Sequence, residues 1–334
     1  MTHHPDQEHI NTIRTALWSG QQYGEAAVMV GAGMSQNAKK KFQTAPPFPN
    51  WGQLMEPFLS SLYPNPADGT MKAERSKLVN ATSEALRIAN EYAALHSDVG
   101  LEALLKTAIP DNHYLPSDLH HRLVRQRWAD VFTTNWDTLL ERAADEMSLR
   151  RYSYVRKMNE IPTSRQPRIT KLHGSFPSNG PFILTEEQFR CYPERYAPFV
   201  NMVRQSIMEN TFCLLGFSGN DPNFLQWSGW VRDNLGSHTR PIFLVIHSPL
   251  RKAQMALLQQ RHIHVVDLSI LFSDGEPDRY GKMLEWFLMN LEAGRPPDVG
   301  NWPEIRTYQP KRAVRDMSHC RYKIFDYRGT EITL

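Results

Sequence analysis

The stretch AAVMVGAGMS, residues 26–35, decides the fold of this chain. Its first five residues form an unbroken apolar run of strand length, and the glycines and serine that follow are typical of a tight turn before a helix. Glycines in such a turn let the backbone approach a pyrophosphate group, and the N–H groups at the helix start can bind its oxygens. The third glycine of the dinucleotide-binding fingerprint is absent, and Ser35 stands where its hydroxyl could reach phosphate instead. This motif alone therefore leaves phosphate binding open.

The same pattern recurs along the chain as short apolar runs that end in glycine or in polar residues. Further strands are predicted at 131–134, 169–172, 212–215, 241–246 and 264–268, with a helix at 250–261 between the last two. Strands that alternate with helix-length segments predict an α/β fold with a Rossmann-like parallel sheet.

One long segment departs from this alternation. From Trp51 to Arg127 the apolar residues fall at helical spacing and no strand-like run interrupts them, so residues 51–127 are predicted to form a helical insertion module. The main domain is predicted to span 1–294 and to include this module. Residues 295–334 are predicted to be a C-terminal tail, rich in Pro, Arg and Tyr, that contacts the domain or a partner.

Composition excludes several classes of protein. With 334 residues, 41% of them apolar, the chain can bury a large core. The 38 Lys and Arg are nearly balanced by 35 Asp and Glu, so direct nucleic-acid binding is not expected despite the basic run 39–41. Three cysteines without a Cys-x-x-Cys pair exclude a disulfide framework and a four-cysteine zinc site. The apolar runs are shorter than the ~18 residues of a membrane helix and the N-terminus lacks a secretory segment. We therefore expect a soluble cytoplasmic protein with no membrane association.

Two further strand ends carry polar residues that could do chemistry. The motif TTNWD, residues 133–137, places Asn135 at the carboxyl end of a parallel strand, where open α/β sheets bind ligands; Asp137 is also a plausible helix N-cap. The next strand runs into KLHGS, residues 171–175, where His173 has a side chain suited to proton exchange or to a hydrogen bond with a ribose hydroxyl. A purely structural role for each residue remains open when its motif is taken alone.

A fourth strand end, LLGFSGND at residues 214–221, repeats the glycine turn. Ser218 and Asp221 can cap the helix that follows, and capping by itself accounts for Asp221. Gly216 and Ser218 form a second small, hydrogen-bonding turn. Two such turns at strand ends could hold the two halves of a dinucleotide.

These four motifs, in this order, resemble those of the sirtuin superfamily, and more closely those of the bacterial sirtuin-like domains of antiviral defence systems. The resemblance runs from about residue 26 to residue 291 and implies an NAD-binding Rossmann-like domain. It implies that Asn135 and Asp137 belong to the ribose and nicotinamide site and that His173 is the catalytic histidine, so these three are the predicted catalytic residues. The predicted NAD-binding residues are Gly31, Ala32, Gly33, Ser35, Thr134, Asn135, Gly174, Gly216, Ser218 and Asp221.

One departure from the deacylases of this superfamily directs the functional prediction. Those enzymes carry a zinc ribbon of two Cys-x-x-Cys pairs after the His-Gly motif, whereas only Cys191 and Cys213 occur in that stretch here. The resemblance therefore favours NAD+ hydrolysis to nicotinamide and ADP-ribose, with NAD+ as substrate and no metal. The alternatives are an NAD-dependent protein deacylase or ADP-ribosyltransferase, and a catalytically silent nucleotide sensor. The presence of both Asn135 and His173 argues against the silent sensor.

Regulation is expected to come from other chains. An enzyme that empties the NAD+ pool is toxic, so we expect a homo-oligomer or a regulatory partner to restrain it. The roughly forty residues after the last predicted helix leave little room for a sensor domain. The resemblance implies an ATPase, an Argonaute-like protein or a phage protein as the partner, without selecting among them.

Overall fold

The computed structural model describes residues 4–20, 22–79, 82–147, 152–177 and 181–294, together with a short strand pair near the C-terminus. The chain divides into two units, residues 1–295 and 296–334. In the second unit, β10 (Ile324–Phe325) pairs with β11 (Glu331–Ile332) in antiparallel orientation. The rest of the predicted tail, 295–334, lies outside the described residues.

The first unit is built on a seven-stranded sheet in which every neighbouring pair is parallel. The spatial order is β5-β6-β4-β1-β7-β8-β9. Its strands are β1 (Ala26–Val30), β4 (Asp130–Thr133), β5 (Ser153–Val155), β6 (Arg168–Lys171), β7 (Thr211–Leu215), β8 (Ile242–Ile246) and β9 (Ile263–Asp267). The predicted Rossmann-like α/β fold is confirmed, and β5 is an edge strand that the sequence pattern did not predict.

The direction of chain winding reverses at β1. After β1 the chain builds β4, β5 and β6 on one side, and it then returns to place β7, β8 and β9 on the other. The crevice between the carboxyl ends of β1 and β7 is therefore the topological switch point, which is where open α/β sheets bind their ligands.

Helices cover both faces of the sheet because successive strand residues point to opposite sides. Val28 and Val30 pack in a core with helices α1, α6, α7 and α12, whereas Ala27 and Met29 pack in a second core with α8 to α11. These helices are α1 (Gln7–Leu17), α6 (Asp118–Arg125), α7 (Leu139–Asp145), α8 (Glu186–Arg195), α9 (Ala197–Glu209), α10 (Pro222–Leu235), α11 (Lys252–Gln260) and α12 (Arg279–Glu292). A four-residue helix, α2 (Ala32–Ser35), follows β1. No described helix has both the length and the apolar character needed to cross a membrane.

The insertion has a hydrophobic core of its own. Helices α3 (Trp51–Leu62) and α5 (Thr82–Ala108) supply most of it, whereas α4 (Gly69–Leu78) has no buried residue; α5 is kinked at Ser97, where φ is 68°. Two features depart from the predicted 51–127 module. Strand β3 (Tyr114–Leu115) interrupts the helices and pairs with β2 (Lys39–Lys40), and α6 packs into the core of the main sheet.

Candidate active site

The two glycine turns meet at the switch point. The N–H of Gly31 donates to the Leu215 carbonyl at 3.0 Å, and the N–H of Gly33 donates to the Gly216 carbonyl at 3.0 Å. A Cβ on Gly31 would lie 2.3 Å from the Gly216 oxygen, and a Cβ on Gly216, which has φ of +61°, would lie 2.6 Å from the Met34 nitrogen. Glycine is therefore required on both sides for the turns to touch.

This contact changes the expected role of the first turn. The N–H groups of Gly31, Gly33 and Met34 are all bonded within the protein, the last to the Gly31 carbonyl at 3.0 Å. They do not supply the free donors that the sequence pattern suggested for phosphate oxygens. Ala32 is exposed, whereas Gly31, Met34 and Ser35 on either side of it are buried.

Asn135, Ser35 and Asp137 form a hydrogen-bonded chain beneath this turn. The Asn135 Nδ2 donates to the Ser35 Oγ at 2.9 Å, and the Ser35 hydroxyl donates to the Asp137 Oδ2 at 2.7 Å. Ser35 is 2% exposed. Its hydroxyl therefore holds two site residues together, and its predicted contact with phosphate stays a prediction.

Asp137 lies below the crevice. It is 4% exposed, and its Oδ1 accepts from the Leu139 N–H at 3.2 Å; Thr138 occupies the N-cap position of α7, so the predicted capping role is only partly met. Burial raises the pKa of the Asp137 carboxyl, while Lys171 and the Ser35 hydroxyl oppose that shift. Both carboxylate oxygens of Asp137 accept hydrogen bonds within the protein, which favours a positioning role for this residue.

A buried ion pair, Lys171 with Glu141, contacts the backbone at Asp137. The Lys171 ammonium, 1% exposed, donates to the backbone carbonyl of Asp137 and lies 3.6 Å from the Glu141 Oε1. The Ser175 hydroxyl also donates to the Glu141 Oε1, at 3.5 Å. Neither Lys171 nor Glu141 stood out in the sequence, because a lysine at a strand end and a glutamate in a helix are ordinary surface residues.

His173 follows β6 and is buried, with 3% exposure. Phe189 and Tyr192 of α8 pack edge-on against its imidazole, with ring centroids 5.0 and 5.5 Å away. The Asn223 Nδ2 lies 3.5 Å from the His173 Nε2. Burial lowers the pKa of His173 to about 3, so the ring is uncharged at neutral pH.

Register and packing bring Asn135 and His173 to neighbouring strand ends. Thr133, the last residue of β4, pairs with Lys171, the last residue of β6, and each site residue lies two positions beyond the end of its strand. The Trp136 indole N–H donates to the His173 carbonyl at 2.9 Å, and Trp136 itself packs into the core of the insertion. The insertion therefore supports the loop that carries Asn135.

The other predicted residues take mixed positions. Gly174 has φ of +95° and a Cβ there would lie 2.6 Å from the Pro181 oxygen, so it permits a tight turn behind His173. Thr134 is partly exposed and Ser218 is exposed, with the Ser218 Oγ accepting from the Asn220 N–H at 3.3 Å. Asp221 caps α10, as expected, by accepting from the Phe224 N–H at 3.0 Å.

Sequence reasoning missed Asn223 and the pair formed by Tyr280 and His247. Tyr280 of α12 approaches the first turn, since a Cβ on Gly33 would lie 2.6 Å from its hydroxyl, and it packs edge-on against His247 with centroids 4.7 Å apart. Both side chains lie far along the chain from the glycine motif. The only local signal for Asn223 was its place directly after the Asp-Pro that begins α10.

In the described part of the chain, no group of three or more His, Cys, Asp or Glu side chains is placed to hold a metal ion. Cys213 lies inside β7, where burial raises its pKa, and Cys191 lies on α8.

These features define a Rossmann-like α/β protein whose candidate site lies at the carboxyl ends of its central strands. A family model described as a SIR2-like domain matches residues 129–266. The chain is 22% identical over 279 residues to Defense-associated sirtuin 2 of Bacillus subtilis, covering 80% of this chain and 26% of that protein. Over these residues the chain is similar to SIR2-like domains and to a defence-associated sirtuin.

Two further relatives carry an activity in their names. NAD(+) hydrolase ThsA of Acinetobacter baumannii is 25% identical over 201 residues, covering 59% of this chain and 37% of the relative. NAD(+) hydrolase ThsA of Bacillus cereus is 23% identical over 203 residues, covering 59% and 38%. The chain thus spans between about a quarter and two fifths of the length of these three relatives.

Proposed function

We propose that this protein hydrolyses NAD+ to nicotinamide and ADP-ribose. The bond between the nicotinamide nitrogen and ribose C1′ breaks, and the nitrogen keeps the bonding electrons, so nicotinamide leaves uncharged. A water oxygen bonds to C1′, and its proton passes to solvent. Three relatives bear the name NAD(+) hydrolase ThsA, which supports this reaction over the alternatives.

The observation that carries the proposal is the uncharged polar pair, Asn135 and His173, at neighbouring strand ends beside the switch point. Loss of nicotinamide gives an oxocarbenium-like ribosyl cation. A histidine whose pKa is about 3 places no positive charge beside that cation. It can still form a hydrogen bond with a ribose hydroxyl, so this role fits His173 better than that of a general base.

Asn135 is suited to hold the attacking water. Its Nδ2 is committed to the Ser35 hydroxyl, and this bond fixes the rotation of the amide. The Oδ1 is the acceptor that the amide offers to a water or a ribose hydroxyl. A fixed dipole of this kind stabilises charge that develops in the transition state without reorganising during the reaction.

We further propose that the protein is a regulated effector of antiphage defence in the bacterial cytoplasm. The relative named Defense-associated sirtuin 2, which matches 80% of this chain, supports the biological setting. Depletion of NAD+ must be restrained until infection, so the proposal includes a homo-oligomer or a regulatory protein partner. An ATPase, an Argonaute-like protein and a phage protein are the candidates.

The test is chromatography of the products after purified protein is incubated with NAD+, with and without an acetyl-lysine peptide. Nicotinamide and ADP-ribose should form in equal amounts, and Asn135→Ala and His173→Ala should each abolish turnover. Asn234→Ala is the matched control, because this exposed amide on α10 donates to the Trp230 carbonyl of its own helix. Formation of acetyl-ADP-ribose would instead establish a deacylase. Binding of NAD+ without turnover, even beside candidate partners, would favour a sensor.

A further inference from the structure

Asn223 is a buried polar side chain that no feature of its own helix explains. It is 3% exposed and lies one residue inside α10, after Asp221 at the N-cap and Pro222 at the first position. Asparagine is favoured at the N-cap, where its oxygen binds backbone N–H groups, and it is a poor helix former further inside. Burial of an amide costs free energy unless the amide finds a hydrogen-bonding partner.

The partner is the imidazole of His173. The Asn223 Nδ2 lies 3.5 Å from the His173 Nε2, and this contact joins the second half of the sheet to the first. An amide nitrogen is only a donor, so the Nε2 must be the acceptor. A neutral imidazole has one proton, and in this arrangement that proton is on Nδ1.

We propose that Asn223 is a positioning residue that fixes the tautomer and the orientation of His173. Its catalytic consequence rests on the proposed NAD+ hydrolysis. The proposal also assigns a purpose to the turn before α10. Gly216 touches the first glycine turn and Asp221 caps the helix, so the eight residues from Gly216 to Asn223 complete the switch-point crevice and also aim Asn223 at the histidine.

The surroundings of His173 make a charge change at Asn223 easy to detect. Phe189 and Tyr192 pack on the ring from α8; Tyr192 is uncharged because burial raises its pKa well above the usual value. Asp221, at the start of α10, is the carboxyl group on the same helix end. For His173 itself burial alone lowers the pKa. A carboxylate placed at position 223 would therefore be a new charge against the ring.

The direct test is the tautomer of His173, read from long-range proton–nitrogen NMR correlations of the full chain labelled with ¹⁵N-histidine. His173→Gln identifies the signal by its loss. The native protein should show an Nδ1–H ring that stays neutral from pH 5.5 to pH 8. In Asn223→Asp the carboxylate can only accept, so the proton should move to Nε2 and the ring should become protonated within that range. In Asn223→Ala the Nδ1–H preference should be lost.

Asn234→Asp is the matched control, since it places the same charge at the exposed far end of the same helix and should leave the His173 signals unchanged. An Nε2–H ring in the native protein would overturn the proposal, as would an unchanged Nδ1–H ring in Asn223→Ala. These results do not depend on turnover of NAD+, so a failure of the proposed function would be seen separately.

A kinetic measurement tests the catalytic consequence. If the native protein hydrolyses NAD+, Asn223→Ala should lower kcat by about a hundredfold, the scale expected for a misoriented histidine, and change KM for NAD+ by less than about twofold. Equal kcat in the variant and the native protein would show that the tautomer has no bearing on hydrolysis.

Discussion

Replacement of Asp221 by asparagine tests whether the cap of α10 is desolvated as the structure has it. The residue is partly buried, and desolvation raises the pKa of its carboxyl from 3.8 to about 6. The folded state therefore holds this proton more tightly than the unfolded state does. The resulting stabilisation is fully present below pH 3.8 and is lost as the pH rises through about 6.

The size of the effect follows from those two pKa values. Between pH 5 and pH 8 the native protein should lose at most about 1.4 kcal/mol of unfolding free energy through this group, less any screening by solvent. Asparagine is as good an N-cap as aspartate and does not titrate. The unfolding free energy of Asp221→Asn, minus that of the native protein, should therefore rise by up to that amount over the same interval.

Guanidinium chloride denaturation of both proteins at the two pH values measures this difference, and the contributions of all other titrating groups cancel in it. A constant difference at pH 5 and pH 8 would refute the reasoning, because it would mean that the carboxyl at position 221 is as well solvated in the folded protein as in the unfolded chain. A larger loss of stability for the variant at both pH values would show instead that the amide cannot replace the carboxylate as a cap.

Two further predictions each come with a matched control. Gly216→Ala should destabilise the fold by more than the roughly 1–2 kcal/mol of backbone strain and should weaken NAD+ binding, because its Cβ would meet the Met34 nitrogen at 2.6 Å. Gly236→Ala, at φ of +55° with nothing within 4 Å, should carry the strain alone; equal losses in thermal unfolding would contradict the turn contact. Ser35→Ala should cost about 1.5–3 kcal/mol and reduce NAD+ turnover, since Asn135 loses its anchor and a buried carboxylate loses a donor. Ser228→Ala, which removes a buried hydroxyl bonded to a backbone carbonyl, should lower stability without lowering turnover per folded molecule.

The central sheet could be predicted because buried parallel strands contain apolar runs, and these runs are longest in β1, β7 and β8. Strands β4, β6 and β9 also carry polar residues and were predicted from shorter apolar runs. Strand β5 has only three residues and is partly exposed, so its pairing with β6 defines it and its own pattern does not. The C-terminal boundary of the helical insertion could not be predicted as well. The helical period of α6 is the same whichever core it packs against, and its assignment to the main sheet is a tertiary property.

The sequence predicted which strand ends form the candidate site, but it did not predict the hydrogen bonds that connect the site residues. Asn135 and His173 reach neighbouring strand ends because parallel order places them there. The contact of Ser35 with Asp137 joins residues 102 positions apart, and that of Asn223 with His173 joins residues 50 apart. A single sequence has no local pattern that reports such pairings. For this reason the sequence did not indicate the bond between Ser35 and Asp137 or single out Asn223.

The positions of the ionisable groups explain what these hydrogen bonds contribute to the site. The ionisable groups Asp137, Lys171 and Glu141 are buried and bonded to other protein groups, whereas Asn135 and His173, which are proposed to meet the substrate, are uncharged. An anion in contact with the substrate would bind the positive ring of NAD+ as well as the ribosyl cation, and equal stabilisation of both does not raise kcat. Uncharged groups held rigidly by buried ions can instead be oriented toward the charge that develops at C1′ in the transition state. On this argument, loss of Lys171 or Glu141 should act on catalysis through the orientation of Asn135, and the charge of the crevice should contribute little.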